Sequence, residues 1–302
     1  MDTIKRVLYA ITKENLHTRR EIADHLSISF VSVCKAINAL TKAGIIDSYE
    51  KSVSDAGRRS GIVEVSRTAN ILLIDLTGND FSYSLSAISE PTANIQKLAR
   101  IDSLDFEGNL SLLISNIKRK LTTSPIKIAV ALPGDVEDGK LINSYVTDYS
   151  CFDVAEYFGE YGLCPDVFVS GAIAAERFDG FNDGDVFISA DGDIWGTYGR
   201  HKTEHIGCVP VSNGGLTYKD ALNCSSADES IVKYSKRFLS SVKGVLSPER
   251  IFFSCARISN DGKMEIEADI DGIACVSAAE IILGGLMELC VDKILAEISN
   301  KR

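Results

Sequence analysis

Residues 18–46, TRREIADHLSISFVSVCKAINALTKAGII, have the pattern of two short helices joined by a tight turn. The first helix is predicted to begin after Thr18, because Glu21 follows three residues later and the pair can form a capping box. A second helix is predicted to begin after Ser29 and to end before Gly44, a residue suited to the left-handed conformation past a helix end. Its apolar residues recur at spacings of four and three: Val33, Ile37 and Leu40. The stretch therefore indicates a helix-turn-helix, although an ordinary pair of packed helices would share much of this pattern.

A two-stranded hairpin is predicted directly after the second helix. Residues 45–51 and the apolar run 62–65 form its strands, and Arg58 and Arg59 lie in the polar tip. Three helices with such a hairpin have the organisation of a winged helix, whose second helix enters the major groove of double-stranded DNA. The predicted groove contacts are Ser29, Phe30, Ser32, Lys35 and Asn38. The predicted phosphate contacts are Arg19, Arg20, Arg58 and Arg59.

Composition indicates a soluble globular protein of two or three compact units. The 302 residues are 45% hydrophobic and 25% charged, and no run of eighteen apolar residues occurs. The first residues, MDTIKRVLYAITKENL, form an amphipathic pattern with mixed charges rather than a signal peptide. Eight cysteines are scattered without a CxxC pair, which favours reduced thiols. The expected location is cytoplasmic, with no membrane partner.

Charge is distributed unevenly along the chain. Residues 1–67 carry eleven Lys and Arg against eight Asp and Glu, a net of +3, and the remainder carries 21 against 34, a net of −13. The two add to the net charge of −10. An acidic body would be repelled by DNA, so any DNA contact is expected from the N-terminal segment. A difference of this size in a short segment could also arise by chance.

The rest of the sequence predicts an α/β body with mixed sheets in two lobes and a cleft between them. A polar joint at 67–70 precedes an alternation of buried strands and amphipathic helices. The predicted domains are a winged helix-turn-helix at 1–66, a first lobe at 67–170 and a second lobe at 171–277. The closing helix, 278–302, is expected to pack on the first lobe.

Several motifs in this order resemble a known family. They are Gly57-Arg58, Asp75 with Gly78, Leu132-Pro133-Gly134, Val167-Phe168-Val169 before an Ala-rich helix, Ile206-Gly207 and Leu246-Ser247-Pro248-Glu249-Arg250-Ile251. Their order resembles the ROK family (repressor, open reading frame, kinase), and within it the regulators similar to the xylose and N-acetylglucosamine repressors. The resemblance implies a winged helix-turn-helix before a two-lobed, sugar-kinase-like body of the actin and hexokinase superfamily. It also implies pairing into a homodimer or higher homo-oligomer.

The sugar side of the body departs from the family pattern. The resemblance implies Asn-Asp after the strand, the Asp being the general base, but Ser170-Gly171 stands there. The family's sugar-contacting stretch, Gly-Glu-Ile-Gly-His, appears as Glu204-His205-Ile206-Gly207-Cys208. If the alignment shifts by one residue, Glu204 could still take the place of the family's sugar-contacting Glu. The stretch 212–226 offers only Cys224 for the family's cysteine-rich zinc loop, so no metal is expected.

The nucleotide side of the body also departs from the family pattern. The family's glycine pair is replaced by Phe252-Phe253-Ser254-Cys255-Ala256, whose side chains are expected to occupy the place of the nucleotide. Asn79-Asp80 adds a negative charge to the first phosphate turn, where a triphosphate would sit. We therefore expect no cofactor and no enzymatic activity. A sugar kinase that uses an unrecognised base is the competing interpretation.

Three further clusters of residues can each be interpreted either as ordinary loop residues or as a functional site. His201, Glu204, His205 and Cys208 could hold a metal or be loop residues of a lost site. The acidic string Asp179, Asp183, Asp185, Asp191 and Asp193 is expected to be solvated loop, since the spacing of a calcium loop is absent. A small sugar-like effector could bind in the cleft, with Asp135, Ser170 and His205 as the candidate contacts.

The sequence thus favours a DNA-binding transcriptional regulator, of repressor type, with a catalytically inert kinase-like body. A protein-interaction module remains the alternative, because Phe30 and Val31 are unusually apolar for the leading edge of a DNA-reading helix.

Overall fold

The computed structural model describes residues 3–52, 59–88, 90, 94–99, 105–144, 150–191, 194–198, 204–205, 217–218, 221–222 and 228–300, with the backbone alone at 51, 52, 59, 60, 150, 204 and 205. The first five elements form a unit that we call the head. They are α1 (Thr3–Thr12), α2 (Arg19–Leu26), α3 (Phe30–Lys42), β1 (Ile46–Ser52) and β2 (Arg59–Val65).

The capping residues of the head are those that the sequence predicted. The Glu21 amide donates to Thr18 Oγ1 over 3.2 Å and the Thr18 amide donates to Glu21 Oε2 over 3.1 Å, which completes the capping box. Ser27 ends α2 in the left-handed conformation, with φ of 52°, and Ser29 caps α3. Gly44 follows α3 with φ of 73°. Both helices therefore have well-defined ends, and a short turn joins them.

A five-stranded sheet, the first sheet, follows the head. Its order is β10-β6-β3-β4-β5, in which β3 pairs in parallel with β6 and antiparallel with β4. The strands are β3 (Asn70–Asp75), β4 (Asp80–Ala87), β5 (Gln96–Ala99), β6 (Lys127–Leu132) and β10 (Val167–Ser170). Alternation along β3 sends Leu72 and Ile74 into a core with α4 (Phe106–Lys120) and α5 (Val154–Glu160).

A small antiparallel sheet lies between β6 and α5 in the chain. It is formed by β7 (Gly134–Glu137), β8 (Lys140–Ser144) and β9 (Ser150–Asp153).

The second five-stranded sheet has the order β13-β12-β11-β14-β15. Its strands are β11 (Val186–Ser189), β12 (Trp195–Tyr198), β13 (Glu204–His205), β14 (Ile251–Ser254) and β15 (Ile273–Cys275). One face packs against the helices α7 (Asp228–Leu246) and α8 (Asn260–Asp269). The other face joins the core that also holds α6 (Gly171–Glu176).

The long closing helix α9 (Ala278–Asn300) packs on α6 and on β3 and β6 of the first sheet. A Cβ on Gly285 would lie 1.7 Å from the Ala174 carbonyl oxygen, so glycine is required for this close approach. At the far end, Lys127 Nζ lies 2.9 Å from Glu297 Oε1. None of the described helices is both long and apolar enough to cross a membrane.

The head is docked on α9 through α1. Lys5 Nζ lies 2.5 Å from Asp292 Oδ1, and the Tyr9 hydroxyl donates to Glu288 Oε2 over 2.5 Å. Buried residues of the head, among them Ile4 and Val63, belong to one core cluster with α6 and α9. The head and the body therefore share a continuous apolar interior.

Candidate functional sites on the head and between the sheets

The helix α3 has one buried and one exposed face. Its buried residues meet α1 and α2: Val33, Ala36, Ile37 and Leu40. On the opposite side Val31, Lys35 and Asn38 are exposed at spacings of four and three, so they share one face. Phe30 and Val31 are 51% and 62% exposed. The outer edge of α3 thus presents an apolar start followed by a cation and an amide.

The two predicted serine contacts take part in the cap of α3. Ser29 Oγ accepts from the Ser32 amide over 3.1 Å, and the two hydroxyls lie 2.8 Å apart. Both residues lie at the exposed start of the helix, where free amides and the helix dipole favour an anion.

The arginines of α2 have different environments. Arg19 is half-buried, and its Nη2 donates to Ser48 Oγ on β1 over 2.8 Å. A Cβ on Gly61 would lie 2.6 Å from Arg19 Nη1, so glycine leaves room for this arginine beside the hairpin. Arg20 is 85% exposed and only weakly paired with Asp24, at 3.9 Å. Arg19 therefore fastens α2 to the hairpin, whereas Arg20 is free to meet a phosphate.

The predicted wing contacts are described only in part. Arg58 lies outside the described residues, and for Arg59 the backbone alone is described, at the start of β2. Sequence reasoning did not include Val31 among the contacts. Its spacing of four from Lys35 would have placed it on the same exposed face.

A buried carboxylate ends β3 at the cleft between the two sheets. Asp75 Oδ1 accepts from the Thr77 amide over 2.9 Å and from Thr77 Oγ1 over 2.7 Å. Burial raises the pKa of Asp75 from its ordinary 3.8 to about 6, although the Thr77 hydrogen bonds oppose the shift and the charge of Asp191 adds to it. The turn that bears this carboxylate is therefore poorly suited to an additional negative charge.

Asp191 faces the cleft from the end of β11. Its Oδ2 accepts from Ser254 Oγ over 2.8 Å and its Oδ1 accepts from the Ala256 amide over 2.5 Å. Ser254 Oγ in turn accepts from the amide of Ala278 over 3.1 Å. A side-chain carboxylate thus takes up a backbone amide that an external anion could otherwise use.

A cavity of about 140 Å³ lies between these carboxylates and is small for a nucleotide, since pockets for such ligands usually measure about 300 to 1,000 Å³. Its charged lining residues are Asp75, Asp80, Lys97, Asp191, Arg257 and Lys263. The acids balance the bases, so the cavity offers no excess of positive charge to a polyphosphate.

The position expected for a general base is filled from both sides. A Cβ on Gly171 would lie 2.6 Å from Thr77 Cγ2 and 3.0 Å from Trp195 Cη2. Trp195 is 2% exposed and packs edge-to-face on Phe187 with ring centroids 5.4 Å apart. Sequence reasoning did not identify Trp195. The lack of a side chain at residue 171 is therefore matched by close packing around it.

Gly171→Ala is expected to lower the free energy of unfolding by about 2 kcal/mol, because the added methyl overpacks this contact. Thr77→Ser removes Cγ2 but keeps the hydroxyl that donates to Asp75. In that background the Gly171→Ala penalty should fall by about half. Denaturant unfolding of the four proteins measures this coupling, and equal penalties in both backgrounds would contradict the packing.

The expectation for Phe252 and Phe253 is wrong. Successive residues of a strand point to opposite faces, so Phe253 lies in the core with α7 and α8 while Phe252 packs in the other core, near Phe181. Ser254, Cys255 and Ala256 line the cavity instead.

Of the candidate effector contacts whose side chains are described, Asp135 and Ser170, neither lines the cavity. Asp135 is exposed on β7, 3.4 Å from Asn143 Nδ2. Ser170 is buried, and its Oγ caps α6 by accepting from the Ile173 amide over 3.3 Å. His205 belongs to β13, where the backbone alone is described. Ser170 thus has a structural role as a helix cap.

The metal interpretation of the region around residue 205 falls largely outside the described part of the chain. His201, Cys208 and Cys224 lie there, as do the side chains of Glu204 and His205. Among the side chains that the structure describes, no group of three or more His, Cys, Asp or Glu residues is arranged to hold a metal ion.

No family model and no curated protein matches this sequence. The fold, however, is similar to solved structures. A ROK family transcriptional regulator, a homolog of the E. coli MLC protein, has a TM-score of 0.64 at 14% identity, and the match covers 98% of this chain and 99% of that one. An inorganic polyphosphate/ATP-glucomannokinase from Arthrobacter sp. strain KM has a TM-score of 0.56 at 13% identity, covering 74% and 99%.

A ROK family glucokinase from Streptomyces griseus, in complex with glucose and AMPPNP, has a TM-score of 0.54 at 12% identity, and the match covers 72% of this chain and 98% of that one. The chain therefore has the fold shared by ROK regulators and ROK sugar kinases. At these identities the likeness shows the fold alone.

Proposed function

We propose that this chain is a DNA-binding transcriptional regulator, of repressor type, whose kinase-like body does not transfer phosphate. The head would act as a winged helix-turn-helix, with α3 in the major groove and the hairpin as the wing. The body would pair the chain into a homodimer, present two heads to a pseudo-palindromic site and sense a sugar-like effector. Such a regulator works in the cytoplasm.

The observation that carries the proposal is the exposed face of α3. On this face Ser29, Lys35 and Asn38 are exposed and Ser32 is half-buried, while the opposite face is buried in the head. Arg20 is a neighbouring exposed cation. This arrangement combines groups that contact base edges with a group that contacts phosphate.

The extent of the structural likeness also supports a regulator. The match with the ROK regulator covers 98% of this chain, whereas the matches with the two kinases leave about a quarter of it uncovered. The head accounts for a share of that order. By fold analogy alone, an added DNA-binding unit distinguishes regulators from kinases.

Geometry between the sheets supports an inert body. General-base catalysis needs a proton acceptor, and Gly171 provides none while Thr77 and Trp195 lie against it. Asp75 and Asp191 place negative charge where a phosphate chain would need neutralisation. Phosphoryl transfer would require another proton acceptor and also cations that neutralise this negative charge.

The test is selection of bound fragments from a library of the source genome by the purified full chain, followed by footprinting. We expect one or a few sites with two half-sites about one helical turn apart. The same preparation, assayed with ATP and a panel of hexoses, should show no sugar-dependent ATP consumption. Turnover with any hexose would contradict the proposal for the body, and the absence of a preferred fragment would contradict the proposal for the head.

The apolar edge of α3 distinguishes DNA binding from protein binding. In a major groove, Phe30 and Val31 would contact thymine methyl groups. Replacing the contacted thymine by deoxyuridine is expected to weaken binding about fourfold, the effect of one buried methyl group. The variant that shortens the contacting side chain, Phe30→Ala or Val31→Ala, should bind the thymine and deoxyuridine DNAs alike. If no thymine in the footprint is sensitive, this edge does not read DNA and the protein-interaction alternative is favoured.

A further inference from the structure

A pocket of about 300 Å³ lies where the head meets the body, and it is separate from the cavity between the sheets. We call it the junction pocket. The apolar part of its lining consists of Ala39, Ala43, Ile45, Ile126, Ile294 and Ile298. Three parts of the fold therefore contribute to it: the C-terminal half of α3 with the turn after it, the start of β6, and the end of α9.

The size of the junction pocket suits a small molecule. An apolar cavity of about 150 Å³ is large enough for benzene, and small-molecule sites begin at about 300 Å³. A ligand of roughly ten non-hydrogen atoms with an apolar body matches both the volume and the aliphatic lining.

The charged groups at the junction pocket differ in their pairing. Lys127 Nζ lies 2.9 Å from both Asp166 Oδ1 and Glu297 Oε1, so its charge is already neutralised. Lys42 is exposed, and it forms no ion pair with any residue within the described ranges. Lys42 also lies in the last turn of α3, where a cation interacts favourably with the exposed carbonyl groups of the helix end. Because it is exposed and has no ion-pair partner among the described residues, its charge can pair with an incoming anion.

We propose that the junction pocket binds a small amphipathic carboxylate, whose aliphatic body packs on Ile45, Ile294 and Ile298 and whose carboxylate pairs with Lys42. A ligand held there touches both α3 and α9. Occupancy therefore changes how firmly the proposed DNA-reading helix is held on the body, a consequence that rests on the proposed function.

The test uses octanoate and its neutral analogue 1-octanol with the full chain, measured by titration calorimetry. Wild type is expected to bind octanoate with a Kd of about 0.1 mM, typical of a ligand this small. Ala39→Leu places a larger side chain in the pocket and should abolish binding of both compounds. Lys42→Gln should weaken octanoate about fivefold and leave octanol unchanged. Lys233→Gln, on the exposed surface of α7, is the charge-matched control.

The proposal is overturned if wild type binds neither compound, if Ala39→Leu binds as well as wild type, or if Lys42→Gln binds octanoate unchanged. A thermal melt of each variant shows that a loss of binding is not a loss of folding. A further titration measures affinity for the selected DNA site with and without saturating octanoate, where we expect a change of at least about threefold in wild type and none in Ala39→Leu. Calorimetry requires no DNA, so failure of DNA binding leaves its result standing.

Discussion

The affinity of the full chain for its DNA site is expected to fall roughly a thousandfold when salt is raised from 50 to 200 mM. Two heads that each place Arg20, Arg58 and Arg59 near phosphates would make about six phosphate contacts, and each contact releases a condensed counterion. The remainder of the chain after residue 67 carries a net charge of −13, so it cannot supply the attraction. Fluorescence anisotropy at five or six salt concentrations gives the slope of log affinity against log salt.

Arg20→Ala is the variant that tests the origin of this slope. Arg20 is 85% exposed, so its loss should leave the head folded and reduce the slope by about one for each head bound. Lys233→Ala removes an exposed cation of the body and should leave the slope unchanged. An affinity that is independent of salt would contradict phosphate contact by the head.

The sequence predicted the ends of α2 and α3 to within a residue or two because their signals are local, whereas β2 begins three residues before the predicted run 62–65. The reciprocal pairing of Thr18 with Glu21, the cap at Ser29 and the positive φ of Gly44 each depend on neighbours within a few positions. The same holds for β3, whose continuous apolar run marks a buried strand. These elements carry their own start and stop signals.

Other elements of the body could not be found in this way. The strand β5 has an alternating, half-exposed pattern over only four residues, and β15 has only three. In the small sheet, the pairing of β8 with β9 joins segments that look like loop, whereas the Asp138-Gly139 turn between β7 and β8 is a hairpin signal that sequence reasoning missed. Neither length nor periodicity distinguishes such strands from irregular structure.

The candidate sites show the same limit. Ser170 was a candidate ligand contact by its position after a strand, but its hydroxyl is used to cap α6. Trp195 was overlooked because its contact with Gly171 joins residues from different elements, which no sequence spacing reveals. The pairing of Arg19 with Ser48 likewise depends on the fold of the hairpin over α2.

The second large effect is expected from Asp75, whose raised pKa makes stability depend on pH. The unfolded chain releases this proton near pH 3.8, whereas the folded chain keeps it until about pH 6. Between these values the folded state binds more protons, so the free energy of unfolding falls as pH rises. The loss is about 3 kcal/mol in total, at about 1.4 kcal/mol for each unit of pKa difference. The stabilisation is thus present below pH 4 and absent above pH 6.

Asp75→Asn should remove this dependence, because the amide oxygen can still accept from both donors of Thr77 while no charge is buried. Relative to wild type, the variant is expected to gain stability from pH 4 to pH 6 and to be more stable by up to about 3 kcal/mol at pH 7. Denaturant unfolding at half-unit pH steps measures the difference, and Asp47→Asn, on the exposed surface of β1, is the control. If the difference in free energy of unfolding between Asp75→Asn and wild type is constant across this range, burial does not raise the pKa of the Asp75 carboxyl. Asp75 would then be largely ionised across this range, so the turn would still oppose a bound phosphate chain through its negative charge.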